Sequence, residues 1–143
     1  MYRISCFWNR TCYYYKTMRN NHNVLILENN YITRKLLNNY FHKFSDLKLF
    51  YVATALKAFD VLNELGDKID VFFVDLDAAG DSCSDFLKSA FYHKKAVFIV
   101  IGDLNSAELK SMIKRRNRLI NLSKPFPLEQ LDLALSALPT AKG

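Results

Sequence analysis

The sequence predicts a doubly wound α/β domain in which five helices cover a five-stranded parallel sheet. Short apolar runs alternate with segments whose apolar residues recur at helical spacing, and this alternation occurs five times along the chain. The runs at residues 71–74 and 96–101 are apolar without interruption, as is typical of strands buried on both faces of a sheet. Such an alternation favours parallel strands joined by helices.

The five strands are predicted from apolar runs that polar or turn-forming residues delimit. They lie at residues 24–27, 47–53, 71–76, 96–101 and 119–123. Polar residues stand at the ends of the first, third, fourth and fifth of these runs. Because parallel strands all end at the same edge of a sheet, these polar residues are expected to meet there.

A helix is predicted after each strand, with a stripe of apolar residues facing the core. The stripes comprise Ile32, Leu36, Leu37, Tyr40, Phe41 and Phe44 in the first helix; Ala55, Phe59, Leu62 and Leu65 in the second; Phe86, Leu87, Ala90 and Phe91 in the third; Leu109, Met112 and Ile113 in the fourth; and Leu128, Leu131, Leu135 and Leu138 in the fifth. The first helix is predicted to begin at a cap formed by Asn29 or Asn30, and the second to end at Gly66. Ser82 with Asp85 and Asn105 with Glu108 resemble capping boxes at the starts of the third and fourth helices. The last helix is predicted to end at Pro139.

Basic charge is concentrated near the N-terminus. Four of the 20 Lys and Arg residues precede residue 23, where there is no acid, and residues 23–143 then carry 16 basic and 14 acidic residues. This near balance weakens the case for nucleic-acid binding by the whole protein. We predict that residues 1–22 form a basic, aromatic extension that is poorly ordered, that residues 23–138 form the domain, and that residues 139–143 are a short tail.

The cysteine content and the lengths of the apolar runs bear on the cellular location of the protein. The three cysteines are an odd number without paired metal-binding spacing, which favours a reducing, cytoplasmic environment. Every apolar run is far shorter than the ~20 residues of a membrane span. No membrane association is therefore expected.

Charged residues gather at the carboxyl edge of the predicted sheet. Glu28 follows the first strand, Asp75 and Asp77 close the third, and Lys124 follows the fifth. Acids that face a lysine at this edge form a site suited to a cation and a phosphoryl group. Aspartate also commonly caps a following turn, so Asp75 has a purely structural alternative.

At these positions the chain resembles the receiver domains of bacterial two-component response regulators. The resemblance covers residues 23–138 and rests on the order and spacing of the elements, on Asp75, and on the Lys124-Pro125-Phe126 sequence. It implies a flavodoxin-like receiver fold. It also implies that Asp75 is the phospho-acceptor, that Lys124 contacts the phosphate, and that a cis peptide bond precedes Pro125.

The resemblance further implies a Mg²⁺ site formed by Glu28, Asp75 and the backbone carbonyl of Asp77. Asn29 stands where the family has a second acidic residue. A neutral amide is a poorer ligand for a hard dication than a carboxylate is. We therefore expect Mg²⁺ to bind only weakly.

The two switch positions of the family are also altered. Ile101 stands where the family has a hydroxyl residue, and Asn121 stands where it has an aromatic residue. An isoleucine cannot donate a hydrogen bond to a phosphoryl group. These departures describe an atypical receiver that acts in a phosphorelay, with a phosphorylation-independent protein-interaction module as the alternative.

A more distant alternative is a phosphatase of the haloacid-dehalogenase type. Asp75-Leu76-Asp77 resembles the motif of those enzymes, in which the first aspartate attacks and the second is the general acid. This analogy is one of fold and short motif alone. The receiver resemblance instead implies a signalling role without enzymatic activity.

The expected output is through a protein partner, because no DNA-binding segment follows the domain in this sequence. The resemblance implies a partner surface on the fourth helix, fifth strand and fifth helix, with Lys110, Lys114 and Arg118. The partner would be a histidine kinase, a phosphotransfer protein or a downstream target, and a homodimer remains open. Nucleic acid is disfavoured, since cations at the end of a helix commonly complement its dipole.

Overall fold

The structure is a computed structural model, and it describes residues 22–44, 46–104 and 106–136. Five strands, β1 (His22–Leu27), β2 (Leu47–Val52), β3 (Ile69–Asp75), β4 (Val97–Ile101) and β5 (Leu119–Leu122), form one sheet in the order β2-β1-β3-β4-β5. All neighbouring strands are parallel. The predicted fold class is therefore confirmed.

Helical segments connect the strands and continue after the last one. The main helices are α1 (Tyr31–Phe41), α2 (Ala55–Leu65), α3 (Cys83–Ala90), α4 (Ala107–Lys114) and α5 (Leu131–Leu135). A single helical turn, Leu76–Ala79, precedes α3, and 3₁₀ turns lie at Gly66–Lys68, Gly80–Ser82 and Leu128–Gln130. Among the described residues, no helix has the length and apolar character that crossing a bilayer requires.

The helices bury both faces of the sheet. On one face, β3 contributes Phe72 to a cluster that includes residues of α2, α3 and α4. The ring of Phe72 stacks on that of Phe98 in β4, with centroids 4.6 Å apart. On the other face, Phe73 lies in a cluster with residues of α1 and α5. Both phenylalanines of β3 are fully buried, so the prediction of a strand covered on two sides is confirmed.

Several predicted boundaries were wrong by one or two residues. The first strand begins at His22 and the third at Ile69, each two residues earlier than predicted. The predicted runs 47–53, 96–101 and 119–123 correspond to strands Leu47–Val52, Val97–Ile101 and Leu119–Leu122, and the run 71–76 ends as a strand at Asp75. His22, which is buried in β1, lies one residue before the predicted domain boundary at 23. The ends of a strand are set by its backbone hydrogen bonds to the neighbouring strands. The pattern of apolar residues in the sequence does not show where those hydrogen bonds stop.

The caps of α1 and α2 follow the prediction, but those of α3 and α4 differ. Asn30 caps α1 by accepting a hydrogen bond from the Thr33 amide, and Gly66 ends α2 with φ +52°. At α3, Ser82 makes no capping hydrogen bond. At α4 the cap is Ser106, which accepts from the Leu109 amide at 3.1 Å. Both Asn105 and the predicted last-helix residue Leu138 lie outside the described residues.

The apolar stripe predicted for the first helix is only partly buried. Leu37, Tyr40 and Phe41 are in the core, but Ile32 is 68% exposed and Leu36 is 51% exposed. The prediction that these two residues face the core was wrong. Helical spacing identifies a broad apolar face, whereas the sheet covers only the part of that face directly above it.

Arg116 ties the loop after α3 to the start of β5. Its Nη1 donates to the Phe91 carbonyl at 2.8 Å, and its Nη2 donates to the carbonyls of His93 at 2.6 Å and Ala96 at 3.3 Å. The guanidinium also lies over the rings of Phe91 and Phe98, 5.2 Å and 4.5 Å from their centroids. A planar group with several donors can make all of these contacts at once.

Replacing Arg116 with lysine should therefore be costly although the charge is kept. We expect Arg116→Lys to lower the free energy of unfolding by about 2 kcal/mol, because an ammonium cannot reach three carbonyls and lie flat on two rings. Urea unfolding measures the loss. The matched control is Arg115→Lys at an exposed position, with an expected change within about 0.5 kcal/mol. Equal stability of the two variants would show that other contacts hold the loop.

Candidate functional site

Asp75 lies at the carboxyl end of β3, where the direction of winding changes between β1 and β3. Its residue is only 1% exposed. The Oδ2 atom accepts a hydrogen bond from the Lys124 ammonium at 2.9 Å, and Oδ1 accepts from the Asp77 amide at 2.9 Å. Asp75 therefore both caps the following helical turn and pairs with a lysine from the end of another strand. Such a crevice is where open α/β sheets bind their ligands.

Glu28, at the end of β1, is the second buried acid of this edge. Its Oε2 accepts from the Asn30 amide at 3.0 Å, and its residue is 1% exposed. Burial raises the pKa of Glu28 to about 7; hydrogen bonding and charge repulsion from Asp75 also raise it, while the Asn30 amide and Lys124 lower it. Near neutral pH, Glu28 is therefore partly protonated.

Lys124 is the cation of the site and bridges two aspartates. Besides its bond to Asp75, its Nζ lies 3.3 Å from Oδ2 of Asp77, whose side chain is 82% exposed. Burial lowers the pKa of Lys124, but the hydrogen bonds and charges of the two aspartates outweigh it and raise that pKa above its ordinary value. The peptide bond between Lys124 and Pro125 is cis, as the resemblance implied.

Comparison with known proteins finds matches among solved structures. No protein-family model matches the chain, and no curated protein matches it. A CheY-like response regulator receiver domain from Methylobacillus flagellatus superposes with a TM-score of 0.65, over 84% of this chain and 100% of that chain, at 17% identity. The chemotaxis protein CheY4 of Vibrio cholerae gives 0.65, over 83% of this chain and 99% of that chain, at 18% identity.

A third match comes from a complex. It is a chain in the co-crystal structure of the Saccharomyces cerevisiae phosphotransfer protein Ypd1 with the receiver domain of its downstream response regulator Ssk1. The TM-score is 0.58, over 81% of this chain and 87% of that chain, at 18% identity. The chain has the receiver-domain fold.

The fit of Mg²⁺ to this receiver fold can be judged from the donors present. No three His, Cys, Asp or Glu side chains within the described ranges are grouped so as to hold a metal ion. Asn29 is exposed and neutral, and the Lys124 ammonium already occupies Oδ2 of Asp75. One feature favours a cation: Oε1 of Glu28 is buried and has no hydrogen-bond donor among the described residues. Two carboxylates without a third fit Mg²⁺ poorly, so weak binding stays our prediction.

Ile101 and Asn121, which the resemblance places at the two switch positions, lie on the neighbouring strands β4 and β5. Ile101 is fully buried at the end of β4, directly opposite Asp75 in the ladder. Asn121 on β5 donates its side-chain amide to the carbonyls of Val100 at 2.9 Å and Gly102 at 3.2 Å. An apolar side chain and a hydrogen-bonded amide thus stand at the positions where the resemblance implies a hydroxyl group and an aromatic ring.

Gly102 lies just after β4. It has φ +122°, and a Cβ added there would lie 3.3 Å from Cβ of Leu76. The loop after β4 therefore packs directly on the helical turn that follows Asp75. Only glycine adopts this φ readily, so a residue without a side chain allows the loop after β4 and the turn after β3 to lie in close contact.

The lysines and arginine of the predicted partner surface are exposed, but they do not all point the same way. Lys110 and Lys114 are exposed along α4. Arg118 donates to the carbonyl of Lys95 at 2.9 Å, so its guanidinium lies toward the loop between α3 and β4. Sequence spacing could not reveal this direction, because the contact joins residues from separate elements.

The phosphatase alternative gains no support from the geometry. Its general acid would be Asp77, whose side chain is largely exposed and ion-paired with Lys124.

Proposed function

We propose that the chain is a receiver-like signalling domain in which Asp75 accepts a phosphoryl group. The observation that carries this proposal is the pairing of the Asp75 carboxylate with the Lys124 ammonium at 2.9 Å, at the carboxyl end of the central strand. A lysine in this place can neutralise the oxygens of a transferred phosphoryl group. The receiver fold of the structural neighbours supports the same assignment.

The chemistry is a direct phosphoryl transfer to a carboxylate. An oxygen of Asp75 attacks phosphorus, the bond between phosphorus and the donor breaks, and the donor leaves with the electron pair. Partial protonation of Glu28 near pH 7 reduces the negative charge beside the incoming group. The donor would be a phosphohistidine on a kinase or a phosphotransfer protein, as the complex of Ypd1 with the Ssk1 receiver suggests by analogy.

Incubation with acetyl phosphate tests the assignment. With Mg²⁺ present, acetate leaves and the intact mass of the full chain should rise by one phosphoryl group. The Asp75→Asn variant, which keeps the size of the side chain, should show no such increase, while Asp77→Asn should still be modified. Wild-type protein that stays unmodified, or Asp75→Asn that is modified like the wild type, would contradict Asp75 as the acceptor.

Magnesium affinity provides a separate prediction. Asn29→Asp should bind Mg²⁺ at least about tenfold more tightly than the wild type, because it adds a carboxylate beside Glu28 and Asp75 at the edge of the sheet. Isothermal titration calorimetry measures both proteins, and Asn30→Asp serves as a charge control at the neighbouring position. Wild-type affinity equal to that of Asn29→Asp would show that the neutral amide does not weaken the site.

The second candidate is a protein-interaction module that does not respond to phosphorylation. It is favoured by the buried Ile101 and by the two hydrogen bonds of Asn121, since neither group gains a contact when a phosphoryl group arrives. A modification shifts a conformational equilibrium only by its differential interaction with the two states. Amide hydrogen exchange of residues 102–116 in phosphorylated and unphosphorylated protein decides between them: a large change indicates a switch, and unchanged exchange indicates a constitutive module.

Lys110, Lys114 and Arg118 remain proposed contacts for a protein partner in either case. Cations at these exposed positions would make association sensitive to salt, because exposed charges are screened over about 10 Å at 0.1 M ionic strength. The role assigned to the domain is therefore signalling through protein contacts.

A further inference from the structure

A groove lies between the C-terminal ends of α3 and α4, at the edge of the sheet opposite Asp75. It encloses about 360 Å³ and is lined by Lys88, Phe91, Tyr92, Met112, Arg115 and Arg116. We call it the α3–α4 groove. A strand of five residues separates this edge from the acceptor edge, which corresponds to roughly 15 Å. Its function is therefore separable from phosphorylation at Asp75.

The floor of the groove is held in place before any ligand binds. Arg116 fixes the Phe91–Ala96 loop through three carbonyls and lies on the ring of Phe91. Phe91 in turn packs edge-on against Phe98 of β4, with centroids 4.7 Å apart. A site whose walls are already ordered loses little entropy when a partner is seated in it.

The groove combines apolar and cationic side chains. Tyr92 is 82% exposed, and Phe91 and Met112 are half-buried beside it. Lys88 and Arg115 stand at the rim and are both exposed. A large exposed aromatic residue next to a methionine is the composition of an adaptable binding surface.

Positive charge is concentrated in the segment that builds this groove. Residues 88–118 contain eight Lys and Arg against two acids, whereas the rest of residues 23–143 contains eight Lys and Arg against twelve acids. Complementing the dipoles of the helices accounts for Lys88 and Lys114 in the last turns. It does not account for Lys94 and Lys95, which follow the end of α3, or for the exposure of Tyr92.

We propose that the α3–α4 groove binds an acidic segment of a protein partner, with an apolar side chain on Phe91, Tyr92 and Met112 and carboxylates at Lys88 and Arg115. Glu108 already lies 2.7 Å from Lys88, which shows that a carboxylate is accommodated at this rim. Proteins hold single-stranded nucleic acid along a row of positive charge that follows its backbone. Glu108 interrupts such a row here, and the groove is short, so a peptide fits it better.

The probe is a short fluorescein-labelled peptide of Glu and Asp residues with one Leu-Phe pair at its centre, added to the full chain. Fluorescence anisotropy should show binding that weakens at least about fivefold when the salt is raised from about 0.05 to 0.3 M. Arg115→Glu should reduce the affinity at least about tenfold, and Tyr92→Ala about threefold. The conservative Arg115→Lys should retain most of it.

Two controls separate this groove from the rest of the molecule. Lys57→Glu, an equivalent charge reversal at an exposed position on α2, should leave peptide binding unchanged, and so should Asp75→Asn. Binding that is lost in Asp75→Asn would overturn the separation from the acceptor site. Circular dichroism establishes that each variant is folded.

Four results would overturn the proposal. They are absence of peptide binding at about 1 mM, undiminished binding by Arg115→Glu, equal binding of a peptide in which Ser replaces the Leu-Phe pair, and tighter binding of oligothymidine than of the peptide. The last would assign the groove to nucleic acid. Failure of Asp75 to accept phosphate would leave the proposal unaffected, since none of these measurements involves phosphorylation.

Discussion

Glu28→Gln is expected to stabilise the protein by about 3 kcal/mol at pH 8 and to have little effect near pH 4. In the folded state the pKa of Glu28 is raised from 4.5 to about 7, chiefly by burial and further by Asp75. The folded chain therefore holds a proton that the unfolded chain releases between these pH values. The contribution of protonated Glu28 to the stability of the wild type is fully present below pH 4.5 and is lost as the pH rises through about 7, which is where Glu28→Gln gains over it.

The expected stabilisation of about 3 kcal/mol follows from the rise in the pKa of Glu28, since each pKa unit corresponds to about 1.4 kcal/mol. Glutamine has the same shape as glutamate and retains the oxygen that accepts the hydrogen bond from the Asn30 amide. Because glutamine cannot ionise, the variant places no buried negative charge beside Asp75. Urea unfolding at a series of pH values, with chelator present to remove divalent ions, gives the difference between variant and wild type. Glu64→Gln, at an exposed position on α2, is the control. A difference that does not change with pH would refute a raised pKa at Glu28.

The second large effect concerns the cation of the same site. Lys124→Met should lower the free energy of unfolding by about 3 kcal/mol at neutral pH, because it takes the cationic partner away from the buried carboxylate of Asp75. Lys57→Met provides the matched control, since it removes the same charge from an exposed position on α2. Its expected change is within about 0.5 kcal/mol.

A double-mutant cycle tests whether the loss arises from this pair. In the Asp75→Asn background the carboxylate that the Lys124 ammonium contacts is absent, so Lys124→Met should then cost less than about 1 kcal/mol. The coupling free energy between the two residues is the difference between the two losses. Equal losses in both backgrounds would mean that Lys124 stabilises the fold through its aliphatic chain and through Asp77.

The sequence predicts the sheet well because strands that are buried on both faces consist of uninterrupted apolar residues. The uninterrupted apolar residues of β3 and β4 could be recognised without any structure, and the acids at their ends followed from the direction of parallel strands. The stripe of α1 was harder to interpret. Ile32 and Leu36 continue its helical period, yet they lie beyond the area that the sheet covers.

The details of the site depended on contacts between distant parts of the chain. That Lys124 would meet both Asp75 and Asp77 requires the register of β3, β4 and β5, which no local pattern specifies. The same holds for Arg116, whose three carbonyl partners precede it by 20 to 25 residues. The sequence shows which residues are polar and near which strand ends they lie. The partner of each polar side chain depends on the tertiary structure.

The side-chain amide of Asn121 spans the end of β4, with one carbonyl partner on each side of Ile101. For β5 to lift from this end of the sheet, both hydrogen bonds must break, at about 1 kcal/mol each. An alternative arrangement would then be populated to only a few per cent. A partner would meet one preformed shape and would lose no affinity to a competing conformer.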